Sequence, residues 1–313
     1  MDKIKLGTSA CVLGQKVRYD GGHKRSAFVD KHVSQHYELM PFCPEVGMGM
    51  SVPRPTIHIR EINEQLRLVD SKDANIDHTE KNNGFFEQIR GRLATLDGFI
   101  LAAKSPTCGL ERIKVYDAEG KLQHRKGTGM FARLLQAHFP LLPLEEDGRL
   151  NDQGLRECFF TKVSAFHDFR QNVLPQKSKH ALIQFHSRYK FLVMAYSPQT
   201  YQSLGRFVAN VDDNDLEDGL LQYLEQLMSV LSKPTNRKKH TNVLMHIQGF
   251  FKQQLDKEDK SELTEQIEQY RKGLVPLMAP VTLLNHFRRK YPDEYLESQV
   301  YFQPYPMELG LNA

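Results

Sequence analysis

This sequence predicts an α/β N-terminal domain with a largely parallel sheet, followed by an all-α C-terminal domain. Three observations carry that prediction. Up to about residue 150, short apolar runs bounded by turn residues alternate with helical patterns, as in a parallel sheet with crossover helices. From about Asp152 the strand signals stop and helical periodicity continues. Three of the early runs each lead into a cysteine: Ile4–Thr8 into Cys11, Leu39–Phe42 into Cys43, and Phe99–Ala103 into Cys108. Open parallel sheets place their ligands beyond the carboxyl ends of the strands, so these three thiols are expected at one sheet edge. The domains are expected over 1–150 and 151–313.

Each element has its own local reason. Phe99–Ala103 follows Asp97-Gly98 and precedes Ser105-Pro106, and such a bounded apolar run suits a strand buried on both faces. Pro106 cannot donate a ladder hydrogen bond, so the strand should end at Lys104 or Ser105. Phe28, Val29, Val33 and Tyr37 give the stretch Arg25–Leu39 helical spacing. Ile57–Ile59 and Leu66–Val69 alternate like strands, Thr79–Leu96 reads as a helix, and Ile113–Tyr116 with the following Asp117–Gly120 reads as a strand and turn. Gly127-Thr128-Gly129 opens a helix with Phe131, Leu134 and Leu135 on one face, and Leu141–Leu144 is the last candidate strand. Gly47-Met48-Gly49 is expected to let backbone approach whatever the cysteines hold. In the second half, helices are expected near 152–172, 179–196, 199–210, 215–232, 238–255, 260–273 and 280–300, separated by Pro175, Pro198, Pro234, Pro276 and Pro280.

Composition excludes several classes. Hydrophobic residues are 40%, charged residues 26%, and no apolar stretch approaches the roughly 18 residues of a membrane helix. The N-terminal residues Met1–Leu6 run into a strand pattern without a signal-peptide core, so a cytoplasmic protein is expected. Four cysteines in 313 residues do not make a disulfide scaffold; in a reducing compartment, clustered thiols bind metal or do chemistry. Residues 1–150 carry 22 Lys+Arg against 19 Asp+Glu and the remainder 20 against 19, so any nucleic-acid footprint must be a local patch.

Soft thiolates select zinc, cuprous copper or iron–sulfur clusters. The spacings between Cys11, Cys43 and Cys108 rule out a zinc ribbon but suit ligands gathered by a sheet. Three small buried residues at loop bends is the plainer alternative. Cys158 lies in a helical stretch with apolar neighbours and is expected to pack. Glu45, two residues after Cys43, is a candidate acid or base, with Ser105 beside Cys108. Ser9, Asp20 and Lys24 are candidate substrate-binding residues; for Ser9, Asp20 and Ser105 the competing reading is a turn hydrogen bond.

Ser9-Ala10-Cys11-Val12-Leu13-Gly14, Val17-Arg18-Tyr19-Asp20-Gly21, Cys43-Pro44-Glu45-Val46 with Pro53-Arg54-Pro55, and Ser105-Pro106-Thr107-Cys108-Gly109 together resemble the DUF523 family of TudS-type thiouracil desulfidases. The resemblance covers roughly residues 3–148. The second half, through Phe185–Lys190, Leu204–Arg206, Thr241–Ile247 and Tyr301–Pro306, is similar to the DUF1722, or YbgA-like, domain. The resemblance implies a [4Fe–4S] cluster on Cys11, Cys43 and Cys108 with one iron free to take a substrate sulfur, and non-redox release of sulfide. It carries catalytic roles onto Glu45 and Ser105. The fused arrangement looks like the RudS-type desulfidases, which implies 4-thiouridine in tRNA as substrate; free thiopyrimidines are the alternative, and a zinc or redox-cluster protein without enzymatic activity a second. Neither a membrane nor DNA is expected as a partner.

In the helical half, Arg237, Lys238 and Lys239 stand at an expected helix start, where cations oppose the helix dipole and a phosphate would reverse that penalty. Arg288-Arg289-Lys290 is a second basic run. His186, Tyr189 and Lys190 combine aromatic and basic character, which suits a strand or loop of RNA. A solvated charge run is the competing reading of the lysines, and a packed histidine that of His186.

Overall fold

The computed structural model describes residues 3–212 and 215–311; Met1 and Asp2, read above with the first strand, lie outside the described residues. The chain divides into two compact units, Met1–Phe159 with Pro306–Ala313, and Phe160–Tyr305.

In the first unit, β1 (Lys5–Ser9), β2 (Glu38–Phe42), β5 (Gly98–Leu101) and β8 (Leu144–Glu146) form a four-stranded sheet in the order β2-β1-β5-β8. Every pairing in it is parallel. Pro41 is tolerated because β2 lies at the edge, where a missing ladder donor costs little. All four residues of β5 are buried, as a central parallel strand requires. The strand ends at Leu101, earlier than Pro106 alone would stop it, because the Ala102 and Ala103 amides turn to the side chains of Ser9 and Asp147. The last strand is also shifted, to Leu144–Glu146.

A second sheet takes the remaining strands: β3 (Ile57–Ile62), β4 (Gln65–Asp70), β6 (Ile113–Tyr116) and β7 (Leu122–Gly127), in the order β4-β3-β6-β7. Here β3 pairs with β4 and β6 with β7 antiparallel, while β3 and β6 are parallel. The β3–β4 hairpin turns on Asn63 and Glu64, both at positive φ, the two-residue turn whose twist matches paired strands. β7 is polar and mostly exposed, so periodicity could not announce it.

Helices complete this unit. A π-helical turn at Val29–Val33 continues as α1 (Ser34–His36), a short α2 (Pro44–Gly47) follows Cys43, and α3 (Thr79–Leu93) and α4 (Met130–His138) follow in chain order. Gly47 does not admit a ligand. A Cβ there would sit 2.1 Å from the Phe85 ring, so the residue is a seat for an α3 side chain.

The second unit is built from α5 (Gln153–Asn172, begun in the first unit), α6 (Lys179–Tyr196), α7 (Pro198–Asn210), α8 (Leu216–Val230), α9 (Arg237–Phe250), α10 (Lys257–Lys272), α11 (Met278–Lys290) and α12 (Glu294–Glu297); α13 (Glu308–Leu311) belongs to the first unit. Ser178, Ser197, Asn236, Asp256 and Asp293 each accept a backbone N–H from the first turn of the helix they begin. Pro198 and Pro280 sit inside first turns, where a missing N–H costs nothing, and do not separate helices. The expected helix over 280–300 is two, broken after Lys290. Phe191, Leu244, Ile247, Phe251 and Leu284 lie in the core of this unit. No helix among the described residues is long and apolar enough to cross a membrane.

Candidate active site

Three parallel strands deliver the three cysteines to one cavity of about 280 Å³ beyond their carboxyl ends. Cys11 lies in the 3-10 turn Ala10–Leu13 directly after β1, and Cys43 stands between β2 and α2. Cys108 sits on the loop after β5. That loop is held by the start of α4: the amides of Met130 and Phe131 donate to the carbonyls of Pro106 and Thr107, both at 3.0 Å. A Cβ on Gly129 would lie 2.4 Å from the Thr107 oxygen, so only glycine lets the helix start come this close.

Cys158 is buried on α5 and does not line the cavity. None of the four cysteines is in a disulfide. Burial, ahead of the neighbouring Cys43 and Glu45 charges, pushes the Cys11 thiol up to about 11. Burial likewise raises Cys43 and, most of all, the wholly buried Cys108, which also feels Cys11 and Cys43. Thiols that oppose each other's ionisation in a buried pocket become thiolates when a metal supplies the compensating charge. Among the described residues, no three His, Cys, Asp or Glu side chains converge on a point for a single metal ion. Three soft thiolates in one cavity are donors that a polynuclear iron–sulfur centre can take, one on each of several irons.

Glu45, on the first turn of α2, is gripped from both sides. Arg54 donates to Oε2 through Nε at 2.9 Å and through Nη2, and Thr107 Oγ1 donates to Oε1 at 2.9 Å. The Arg54 side chain is 2% exposed, and its guanidinium is anchored further on the Val17 carbonyl at 2.8 Å. Ser105 does not reach Glu45. Its hydroxyl bonds Thr107 Oγ1 at 2.9 Å and accepts from the Cys108 amide at 3.1 Å. Because Thr107 gives its proton to Glu45, Ser105 must give its own to Thr107. A one-way chain results, from the Cys108 N–H through Ser105 and Thr107 to the Glu45 carboxylate.

The remaining candidates are distributed unevenly. Ser9 lines the cavity: its hydroxyl oxygen accepts from the Ala102 amide at 2.9 Å, tying β1 to β5 past the end of their ladder, and its proton turns to Cys108. Lys24 lines the cavity and is fixed by Asp147 at 2.9 Å and the Ala103 carbonyl at 3.3 Å. Asp20 is exposed, accepts from the Gly22 amide at 2.9 Å, and lies outside the cavity lining, so the turn reading describes it. Arg237, Lys238 and Lys239 open α9 in the second unit. Arg237 and Lys238 are exposed there, while Lys239 donates to the Tyr196 carbonyl at 2.5 Å. Arg288 is spent over the Phe302 ring and Lys290 pairs with Asp259 at 3.5 Å. The expected RNA face at His186 and Tyr189 is internal: His186 is 4% exposed and shares a hydrogen bond of 3.0 Å with Tyr223, and Tyr189 donates to Asp168 at 2.9 Å. Alternating aromatic and basic letters on a helix do not tell which face is buried.

Sequence reasoning assigned no role to Arg54 or Thr107. Both stand inside motifs quoted above, and a basic residue between two prolines beside an acidic turn was the available signal for Arg54.

Comparison with known proteins finds two family models on separate stretches of the chain. The 2-thiouracil desulfurase family model matches residues 6–147, and the DUF1722 model, described as a protein of unknown function, matches residues 190–306. The uncharacterized protein YbgA of Escherichia coli (strain K12) is 35% identical over 163 residues, 52% of this chain and 96% of that one. A solved chain of the [4Fe-4S]-dependent thiouracil desulfidase TudS is 30% identical, covers 48% of this chain and 94% of that chain, and superposes with a TM-score of 0.39. The chain belongs to the family in which a 2-thiouracil desulfurase (DUF523) domain is fused to a YbgA-related DUF1722 domain.

Proposed function

We propose that this protein removes sulfur from 4-thiouridine in tRNA, giving uridine and sulfide, with a [4Fe–4S] cluster held by Cys11, Cys43 and Cys108. The observation that carries the reading is the meeting of three thiols, from three strand ends, with a doubly anchored glutamate on one cavity wall. Membership of the desulfurase family supports the reaction class. When bound, such a cluster supplies a Lewis-acidic iron suited to a soft thiocarbonyl sulfur.

The chain's own residues then handle the water. Glu45 takes a proton from the water that adds at C4 of the pyrimidine. Arg54 and Thr107 hold both carboxylate oxygens, so the base cannot rotate away from the reacting atoms. Ser105 fixes which way the Thr107 hydroxyl points. One water enters and one sulfide leaves, so the reaction consumes neither oxidant nor reductant.

The cavity volume also favours a second reading. Of about 280 Å³ the cluster would fill part, which leaves no room for a stacked pair of bases, so a base in tRNA must enter unstacked, whereas a free thiopyrimidine enters directly. The test is sulfide release by anaerobically reconstituted protein from thiolated tRNA, free 4-thiouridine and 2-thiouracil. Release from tRNA is expected, reduced about 10²–10⁴-fold by Glu45→Gln with the cluster retained. Release from free bases alone would overturn the tRNA substrate, and no release from any of the three would overturn the desulfidase reading.

A further inference from the structure

We propose that the aromatic cavity bounded by α6, α7, α9 and α12 in the second unit binds a single unstacked nucleobase of an RNA strand. The proposal deepens the tRNA reading above and rests on it. The cavity holds about 450 Å³ and lies wholly within this unit. Phe250 and Tyr295 form its platform, with ring centroids 5.6 Å apart and planes within 17°. Phe191 braces both edge-on, at 5.9 Å and 6.0 Å. Phe250 is nevertheless 41% exposed, a large aromatic surface left to water beside a cavity.

The polar groups on the rim are uncommitted. Asn242, His246 and Gln202 line the cavity, are exposed, and have no side-chain hydrogen bond among the described residues. Amides beside an aromatic platform are the groups that read the edge of a splayed base.

The third part is the charge. Lys238, Asn242, His246 and Phe250 recur every four residues of α9 and so follow one face of the helix. Lys238 is exposed and has no acidic partner among the described residues. From Lys238 to Phe250 the helix rises about 18 Å, more than one nucleotide spans, so a strand can reach the rings and the basic helix start together and a mononucleotide cannot. An apolar peptide would cover the rings but leave the amides and the basic first turn unused. An RNA strand uses all three, by stacking, by base-edge hydrogen bonds and by phosphate contact at a helix start.

The test is binding of a fluorescently labelled single-stranded oligouridylate to the full chain, by anisotropy over a range of salt. Phe250→Leu keeps apolar volume but loses the stacking face. It should weaken binding about 5- to 150-fold without changing the salt slope, because stacking is not a charge interaction. Lys238→Ala should instead lower that slope by roughly 0.7. Asn242→Ala, at an exposed position, should also weaken binding while leaving the unfolding midpoint unchanged. Sulfide release from free 2-thiouracil should be unaffected in all three variants. Unchanged RNA affinity in both Phe250→Leu and Asn242→Ala would overturn the base pocket, even with thiolated tRNA still desulfurated by the wild type. A wild-type protein that neither binds RNA nor desulfurates tRNA would overturn the tRNA reading itself, and this pocket with it.

Discussion

Replacing Thr107 by valine keeps the shape of the side chain and deletes one hydroxyl, and that hydroxyl is the middle of the chain from Ser105 to Glu45. Thr107 is 0% exposed, so no water takes its place at the same point. Two groups lose a partner: Glu45 Oε1 its donor, and the Ser105 hydroxyl its acceptor. A hydrogen bond to a charged group contributes about 1.5–3 kcal/mol. If that amount is lost from the transition state alone, kcat falls about 10- to 150-fold. Arg54 still holds Oε2, so the glutamate stays in the cavity and KM should change little. Stability should fall by about 1 kcal/mol, because Ser105 is only half-buried and its hydroxyl can turn to water. The assay is steady-state sulfide release together with iron content per chain, since the neighbouring Cys108 is one of the three proposed cluster ligands. Thr107→Ser, which restores the hydroxyl, should recover most of the loss. A valine variant with wild-type kcat, or a serine variant as poor as the valine one, would refute the relay.

Serine at Cys11, Cys43 or Cys108 should abolish iron and sulfide binding, whereas Cys158→Ser, buried on α5 away from the cavity, should keep both; iron analysis after anaerobic reconstitution decides, and an iron-free Cys158 variant would contradict the three-ligand set. Alanine at Arg237 and Lys238 should flatten the salt dependence of tRNA binding by roughly 0.7–0.9 per lost phosphate contact, and unchanged slopes would reduce the run to a solvated surface. Lys239→Ala should cost stability as well, because its ammonium ties α9 to the end of α6 through the Tyr196 carbonyl. Burial, reinforced by Lys190 and Lys239 respectively, holds His186 and His240 down at about 4, below the ordinary value near 6.5. Both are neutral in the fold and take up protons on unfolding, so their stabilisation is complete above pH ~6.5 and is lost as pH falls towards 4. The urea midpoint, followed by circular dichroism, should drop from pH 7 to pH 5 and drop less in His186→Gln/His240→Gln; an equal drop in that double variant would exclude the histidines as the cause.

Much of the first unit was legible because its signals are local. A bounded apolar run, a proline that stops a ladder and a cysteine a few residues later are all contained in one stretch, and three such stretches place the thiols together wherever the strands run parallel. Glu45 and Ser105 could be placed beside the cavity for the same reason, each being within three residues of one of its cysteines. The helices of the second unit were legible from their 3.6-residue period, and their capping residues refine only the ends.

What the tertiary structure alone decided is every relation between distant residues. The strands divide into a parallel sheet and a mixed one because pairing partners are chosen across the fold, which alternation within Ile57–Ile62 or the polar β7 cannot express. Gly47 serves a Phe85 ring, and Gly129 serves the carbonyl behind Cys108. Glu45 meets Thr107 across 62 positions, and only that meeting turns a loop serine into the far end of a hydrogen-bond chain. His186 and Tyr189 read as an RNA face but are core, while Asn242 and Phe250 read as ordinary helix but border an open cavity. Periodicity reports that a helix has two faces; which one meets solvent depends on the helices packed against it, and no stretch of sequence contains them.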